Sequence, residues 1–142
     1  LAAKIITRLR LRHGSCSVIE SHQIVRHIAR HREGKDAFFF ICDQNPYINV
    51  SRFVVDFLGQ KTYMIEGPEM IASRMGMPVL YCGLIRHGRG DNEAHFELIT
   101  EDASGCERGY VTAEFARLLE KDIKDHKGTW LWSHKRWKKR IV

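Results

Sequence analysis

Proline is scarce, three residues in 142, and no Pro- or Ser-rich stretch or internal repeat breaks the chain, so neither a linker nor a solenoid array is indicated. Long apolar runs are missing too. The longest, Ala37 to Cys42, falls far short of the ~20 residues that cross a bilayer as a helix. No stretch reads as a membrane span, while attachment at a membrane surface stays open. The four cysteines (Cys16, Cys42, Cys82, Cys106) are widely and irregularly spaced, with no CxxC pair. No secretory leader is visible, so a disulfide framework and a zinc site are both unsupported and reduced thiols in a cytoplasmic compartment are expected. The histidines form no HxxH, HExxH or mixed Cys/His pattern, and no metal or bound cofactor is expected. Neither GxGxxG nor GxxxxGK[ST] occurs, and Gly88-Arg89-Gly90 sits in a predicted turn with no helix after it, so nucleotide binding has no motif to rest on. Leu1-Ala2-Ala3-Lys4 shows neither an initiator methionine nor a signal-peptide layout. From this the chain is expected to be part of a longer protein.

Acidic residues are absent from both ends. Residues 1 to 14 hold Lys4, Arg8, Arg10 and Arg12, and residues 126 to 142 hold Lys127, Lys135, Arg136, Lys138, Lys139 and Arg140. These ten cations account for the net charge of +6, because the 13 remaining cations face 17 acids. Basicity at the termini points to anionic partners there: phosphates, lipid headgroups or an acidic protein. At 44% hydrophobic and 28% charged the composition is globular, and the length suits one domain with one core.

Periodicity predicts a basic helix over 2–12 ending at Gly14, a strand over 16–20, and a helix capped by Ser21 that runs to about residue 32. Ala37 to Cys42 has the continuous apolar character of a strand buried on both faces. Phe53 to Leu58 is a second strand, and Gly67-Pro68 opens a helix that Gly76 stops. Val79 to Ile85 reads as another buried strand, paired as a hairpin with Ala94 to Ile99 across the turn residues 87–92. Thr112 is the expected cap of a last helix carrying Phe115, Leu118, Leu119 and Ile123 on one face. Strands alternating with helices imply an α/β domain: a largely parallel sheet with flanking helices and one antiparallel hairpin.

In such sheets ligand sites gather past the C-terminal ends of strands, where Asp43, Gln44 and Asn45 follow the apolar run. An acid and two amides there can orient a hydroxyl or hold a basic side chain, or can organise a turn with Pro46. His31 and Asp36 match the H-x-x-x-x-D spacing of an acyl-transfer dyad, in which the imidazole removes a hydroxyl proton and the acid orients the ring. His31 also suits the last turn of a helix simply as a cation. The segment from Trp130 to Arg140 sets three tryptophans among basic residues. If helical it places Trp130, His134 and Trp137 on one face, a mixture that fits a membrane interface, single-stranded nucleic acid, or tryptophans packed in the core with solvated cations.

Taken in order, the Arg-rich stretch before Gly14, Asp43-Gln44-Asn45-Pro46, Asp56-Phe-Leu-Gly-Gln-Lys-Thr62, Gly67-Pro68-Glu69 and Trp130-Leu-Trp-Ser-His-Lys-Arg-Trp-Lys138 resemble the lipid A biosynthesis (lauroyl/myristoyl) acyltransferases of the lysophospholipid acyltransferase superfamily, over nearly the whole chain. The resemblance implies the C-terminal part of a single acyltransferase domain, residues 1–142, peripheral at the cytoplasmic face of the bacterial inner membrane. The implied reaction moves a fatty acyl group from an acyl carrier protein thioester, or acyl-CoA, to a hydroxyl of a lipid A precursor or lysolipid. That family's His/acid dyad lies upstream of the Arg-rich stretch, so no catalytic residue is expected here and the chain alone is expected to be inactive. By the same resemblance Arg10, Arg12, Asp43, Gln44 and Arg136 are substrate-binding positions, while the interleaving of indole and cations is expected to set Trp137, Lys135, Lys138, Lys139 and Arg140 at the membrane surface. A truncated sheet would leave a hydrophobic edge and favour self-association. The alternative reading is a nucleic-acid-binding module built on the basic, Trp-rich termini, and a third is a non-catalytic interaction domain.

Overall fold

A computed structural model describes residues 2–12, 14, 16–31, 35–46 and 53–137. The chain divides into two compact units, Leu1–Phe38 and Phe39–Val142. The first holds two short helices, α1 (Ala2–Arg10) and α2 (Ile24–Arg30). Arg8 and Arg10 lie in the last turn of α1, where cations favour the helix dipole. Helix α2 begins later than its sequence suggests: Ser21 is in a turn, Gln23 is the cap, and no side chain bonds the first N–H groups. Residues 16–20 form no strand. Ile28 is the fully buried anchor of this unit.

In the second unit, β1 (Phe53–Phe57) and β2 (Gln60–Met64) pair antiparallel, with Phe57 opposite Gln60. The two-residue turn between them has φ 51° at Leu58 and φ 75° at Gly59, the positive pair of a type I′ turn whose twist matches the strands. Leucine is an unusual occupant of that conformation, and its N–H is tied down by Glu120 Oε2 at 3.0 Å. Helix α3 (Gly67–Met75) starts with Pro in its first turn and ends at Gly76 in the left-handed region, φ 60°, as expected from the sequence. Strands β3 (Val79–Gly88) and β4 (Asp91–Thr100) form the expected hairpin, and a 3-10 turn (Ala103–Gly105) leads to α4 (Tyr110–Asp125).

The long helix α4 is the spine of this unit. Val111 and Leu118 join Ala72, Tyr81, Ile99 and Ala103 in one cluster, while Ala116 and Ile123 join Phe57 and Met64 in a second. Leu119 packs against both. Burying Phe57 completely is worth roughly 1.5–3 kcal/mol. No helix among the described residues is long and apolar enough to cross a membrane.

The largely parallel α/β sheet is not what forms. Among the described residues there are two separate two-stranded antiparallel sheets. The reason is the connections: parallel neighbours need crossovers of a dozen or more residues, whereas here two-residue turns at Leu58–Gly59 and Arg89–Gly90 fold each strand back on its neighbour. Ala37 to Cys42, expected at the centre of the sheet, forms no strand and pairs with none among the described residues, and Phe39 is 72% exposed.

The Glu120 tether has a definite pH sense. Its side-chain bond with Lys124, followed by the Leu58 N–H, holds this carboxyl below the usual glutamate range. A depressed folded-state value means that the contribution is complete above the ordinary value and is lost as pH falls through the lowered one. The Leu58 amide resonance should therefore titrate in acid, below the normal glutamate range, and Glu120→Gln should abolish that titration.

Candidate functional site

The bend Asp43-Gln44-Asn45-Pro46 and the Trp-rich closing segment meet on β2. Residues 127–137 are a run of turns rather than a helix, with Trp132 N–H bonded to the Trp130 carbonyl at 2.9 Å and Arg136 N–H to the His134 carbonyl at 2.8 Å. A helix would hold Trp130 and Trp137 two turns apart. Turns let both rings close on one aromatic, at centroid distances of 6.2 Å and 6.4 Å from Phe57. Trp137 Nε1 donates to Thr62 Oγ1 at 2.8 Å, and Thr62 in turn donates to the Gln60 carbonyl at 2.9 Å. Two of the three indoles are thus engaged in packing, while Trp132 is largely exposed.

Arg136 sits at the centre of this junction, 2% exposed. Its Nη2 donates to the Tyr63 carbonyl at 2.5 Å and lies 3.1 Å from Met64 Sδ; Nη1 donates to Asn45 Oδ1 at 3.4 Å. The Asn45 N–H donates to His134 Nε2 at 3.4 Å, so both ends of the closing segment's basic core grip the same residue. Burial lowers the Arg136 pKa from its ordinary value, and the charge of nearby Asp43 opposes that shift. Among the described residues its Nε is buried without a hydrogen-bond partner. A buried cation held mainly by neutral acceptors is costly, and its hydrogen bonds offset only part of that cost. Here it fixes the bend that presents half-buried Asp43 and exposed Gln44. Burial, and after it the charge of neighbouring Asp43, pushes the Cys42 thiol up to about 11.

The other expected residues fall elsewhere. Arg10 and Arg12 are exposed at the end of α1, in the first unit. His31 and Asp36 are exposed, and no hydrogen bond or ion pair joins them. His31 stacks on His27 at 4.1 Å, and its Nδ1 donates to the His27 carbonyl at 2.8 Å. Lys135 is exposed; Lys138, Lys139 and Arg140 lie outside the described residues.

Two polar clusters carry no spacing signature. In the first, His95 Nε2 lies 3.2 Å from Asp122 Oδ2, and Tyr81 OH donates to the same oxygen at 2.7 Å. Burial and the Asp122 carboxylate push the Tyr81 hydroxyl far above its ordinary range. This resembles a catalytic pair, but Nε2 is engaged with Asp122 while Nδ1 is buried and unpartnered, so no substrate proton can reach a free ring nitrogen. The cluster ties the hairpin to α4. Gly83 was its visible sign: glycine inside a strand marks close approach, and a Cβ there would run into His95 and Asp122. In the second cluster, buried Glu69 accepts from the Gly109 N–H, the Thr112 hydroxyl and, at 2.8 Å, the Thr112 N–H. The expected cap Thr112 is therefore a residue of the first turn, and the carboxylate that serves the start of α4 comes from α3.

The sequence model of the family described as bacterial lipid A biosynthesis acyltransferase matches residues 1–139. The chain belongs to that family. No curated protein and no solved structure gives a significant match. For a bacterial lipid A acyltransferase, the junction around Arg136 joins two of the segments in which the family resemblance lies, Asp43 to Pro46 and Trp130 to Lys138. Glu69 of the Gly67-Pro68-Glu69 motif serves the fold in this acyltransferase chain, by holding the N-terminus of α4.

Proposed function

We propose that residues 1–142 are the C-terminal part of a single domain that transfers a fatty acyl group from an acyl carrier protein thioester, or acyl-CoA, to a hydroxyl of a lipid A precursor or lysolipid. The thioester C–S bond breaks, an ester C–O bond forms, and the hydroxyl proton leaves through a general base. The family match over 1–139 is the observation that carries this reading. In it, exposed Arg10 and Arg12 take phosphates of the lipid or carboxylates of the carrier through charge-assisted bonds. Asp43 and Gln44 orient the polar end of a substrate, while Arg136, its donors directed to Tyr63 and Asn45, acts as a positioning residue. Lys135, Lys138, Lys139 and Arg140 add roughly 1 kcal/mol each towards an anionic leaflet, as suits a peripheral protein on the cytoplasmic face of the inner membrane.

Neither His31–Asp36 nor His95–Asp122 is arranged as a base, so in this reading the dyad lies in other residues of the protein. General acid–base help is worth about 10²–10⁴-fold. The 142-residue chain is accordingly expected to give no turnover with acyl carrier protein thioester and lipid acceptor, and the full-length protein to give turnover that falls when Arg10 and Arg12 are changed together to Gln. Turnover by the short chain that disappears in His31→Ala would place the base here and overturn this assignment. Failure of the full-length protein to acylate any lipid hydroxyl would overturn the reaction itself.

A further inference from the structure

One side of α2 carries only basic and amide side chains. His22, Gln23, Arg26, His27, Arg30 and His31 line a single open hollow of about 510 Å³, while Ile28 is buried on the other side of the helix. No acid occurs between Glu20 and Glu33, and Glu20 is taken by His22 at 3.3 Å. Arg26 and Arg30 stand four apart, as do His27 and His31, so each pair shares a face of the helix. Like charges at that spacing weaken a helix, and here the spacing occurs twice around one hollow.

The imidazoles are also held in place. His27 meets the edge of Phe38 at a centroid distance of 6.2 Å and stacks on His31 at 4.1 Å. His31 Nδ1 donates to the His27 carbonyl at 2.8 Å, which leaves Nε2 as the ring atom for a ligand, the division made when a histidine binds through one nitrogen and is oriented through the other. An imidazole pair four apart on a helix can hold a transition metal or an anion, and the neighbours decide between them. The guanidinium groups of Arg26 and Arg30 repel a divalent cation, and no third metal ligand joins the pair among the described residues.

We propose that this hollow binds a phosphomonoester, carried by a lipid headgroup or by a soluble phosphate ester; the inference does not depend on the acyltransferase reading. The arginine forks match two phosphate oxygens, and the Nε2–H of a protonated His31 serves the third. A carboxylate or a phosphodiester brings one charge, too few for two guanidinium groups beside two stacked rings that repel when both are protonated. A phosphomonoester gives up its second proton at about pH 6, in the range where histidine is the side chain that changes charge, so dianion and imidazolium form together.

The native protein, titrated with inorganic phosphate at constant ionic strength, is expected to show the His27 and His31 ring resonances titrating at higher pH. The expected move is roughly one unit at saturation, a tenfold tighter hold on phosphate by the protonated form. Acetate should leave them in place. Arg26→Gln with Arg30→Gln, both exposed, should keep the circular dichroism spectrum and lose the shift. Arg26→Lys with Arg30→Lys keeps the charge without the forks and should recover only part of it. Phosphatidylcholine vesicles doped with phosphatidic acid, a monoester, or with phosphatidylglycerol, a diester, at equal surface charge distinguish the sources. A preference for phosphatidic acid that the Gln variant loses names a lipid headgroup; the shift with inorganic phosphate and no preference between the vesicles names a soluble ester. The proposal is overturned if phosphate leaves both histidines unmoved, as it would where acidic groups of the same protein already fill the hollow, or if acetate moves them equally. It is equally overturned if the Gln variant keeps the shift, or if zinc binds the pair while phosphate does not.

Discussion

Glu69→Ala should destabilise the 39–142 unit by about 3 kcal/mol or more, read as a lower urea midpoint at unchanged slope. The carboxylate is buried and accepts from the N–H groups of Gly109 and Thr112 and from the Thr112 hydroxyl. Truncation leaves these donors in the interior without partners, at roughly 1–3 kcal/mol each. It also removes the negative charge facing the start of α4, where the macrodipole favours an anion. Because α4 contributes to both hydrophobic clusters, a frayed first turn is felt across the unit. Glu69→Gln keeps one good acceptor and should cost roughly half as much. Glu107→Ala, exposed two residues before Gly109, removes an acid from the same neighbourhood without touching a buried donor and should stay within about 0.5 kcal/mol. Equal effects at 69 and 107 would reduce the role of Glu69 to general charge.

What could be read from the sequence divides along the range of the interactions. Helix α3 was visible because Gly67-Pro68 and Gly76 punctuate it locally, and α4 because Leu118, Leu119 and Ile123 recur at helical spacing. The β3–β4 hairpin announced itself through the turn residues around Gly88 and Gly90. The β1–β2 hairpin did not, because its turn is Leu58-Gly59, where leucine gives no turn signal and depends on Glu120, 62 residues away. Ala37 to Cys42 misled for a related reason. A continuous apolar run states that burial is favourable but names no partner, and the inferred parallel sheet rested on an alternation of strands with helices in which that run counted as a strand. The site shows the same division. Asp43, Gln44 and Arg136 were picked out one by one from family motifs, but their meeting on β2 depends on bonds spanning 73 to 91 residues, from Arg136 to Tyr63 and Asn45. Glu69 and the His95–Asp122 pair likewise join residues with no common motif.

Arg136→Ala should cost about 3 kcal/mol, from two acceptors left unpaired and the packing of the buried stem lost, and the loss should be local before it is global. The substitution leaves the Tyr63 carbonyl and Asn45 Oδ1 without their donor and opens space beside Met64. Both connections between the closing segment and the 43–46 bend then reduce to the 3.4 Å bond from Asn45 N–H to His134. Hydrogen exchange should quicken first over residues 43–46 and 60–64, and tryptophan emission should shift to the red as Trp130 and Trp137 leave Phe57. The β3–β4 hairpin, held through Tyr81, His95 and Asp122, should keep its protection. Arg136→Met fills much of the space of the stem and should cost less, about 2 kcal/mol, chiefly the unpaired acceptors. Arg136→Lys preserves the charge but, as a point donor in place of a planar fork, cannot serve Tyr63 and Asn45 together and should resemble Met more than wild type. In the active enzyme a positioning role predicts that stability and turnover fall in parallel across Met, Lys and Ala. If all three variants keep wild-type stability while the KM for the lipid acceptor rises, Arg136 contacts substrate directly and the positioning role is wrong.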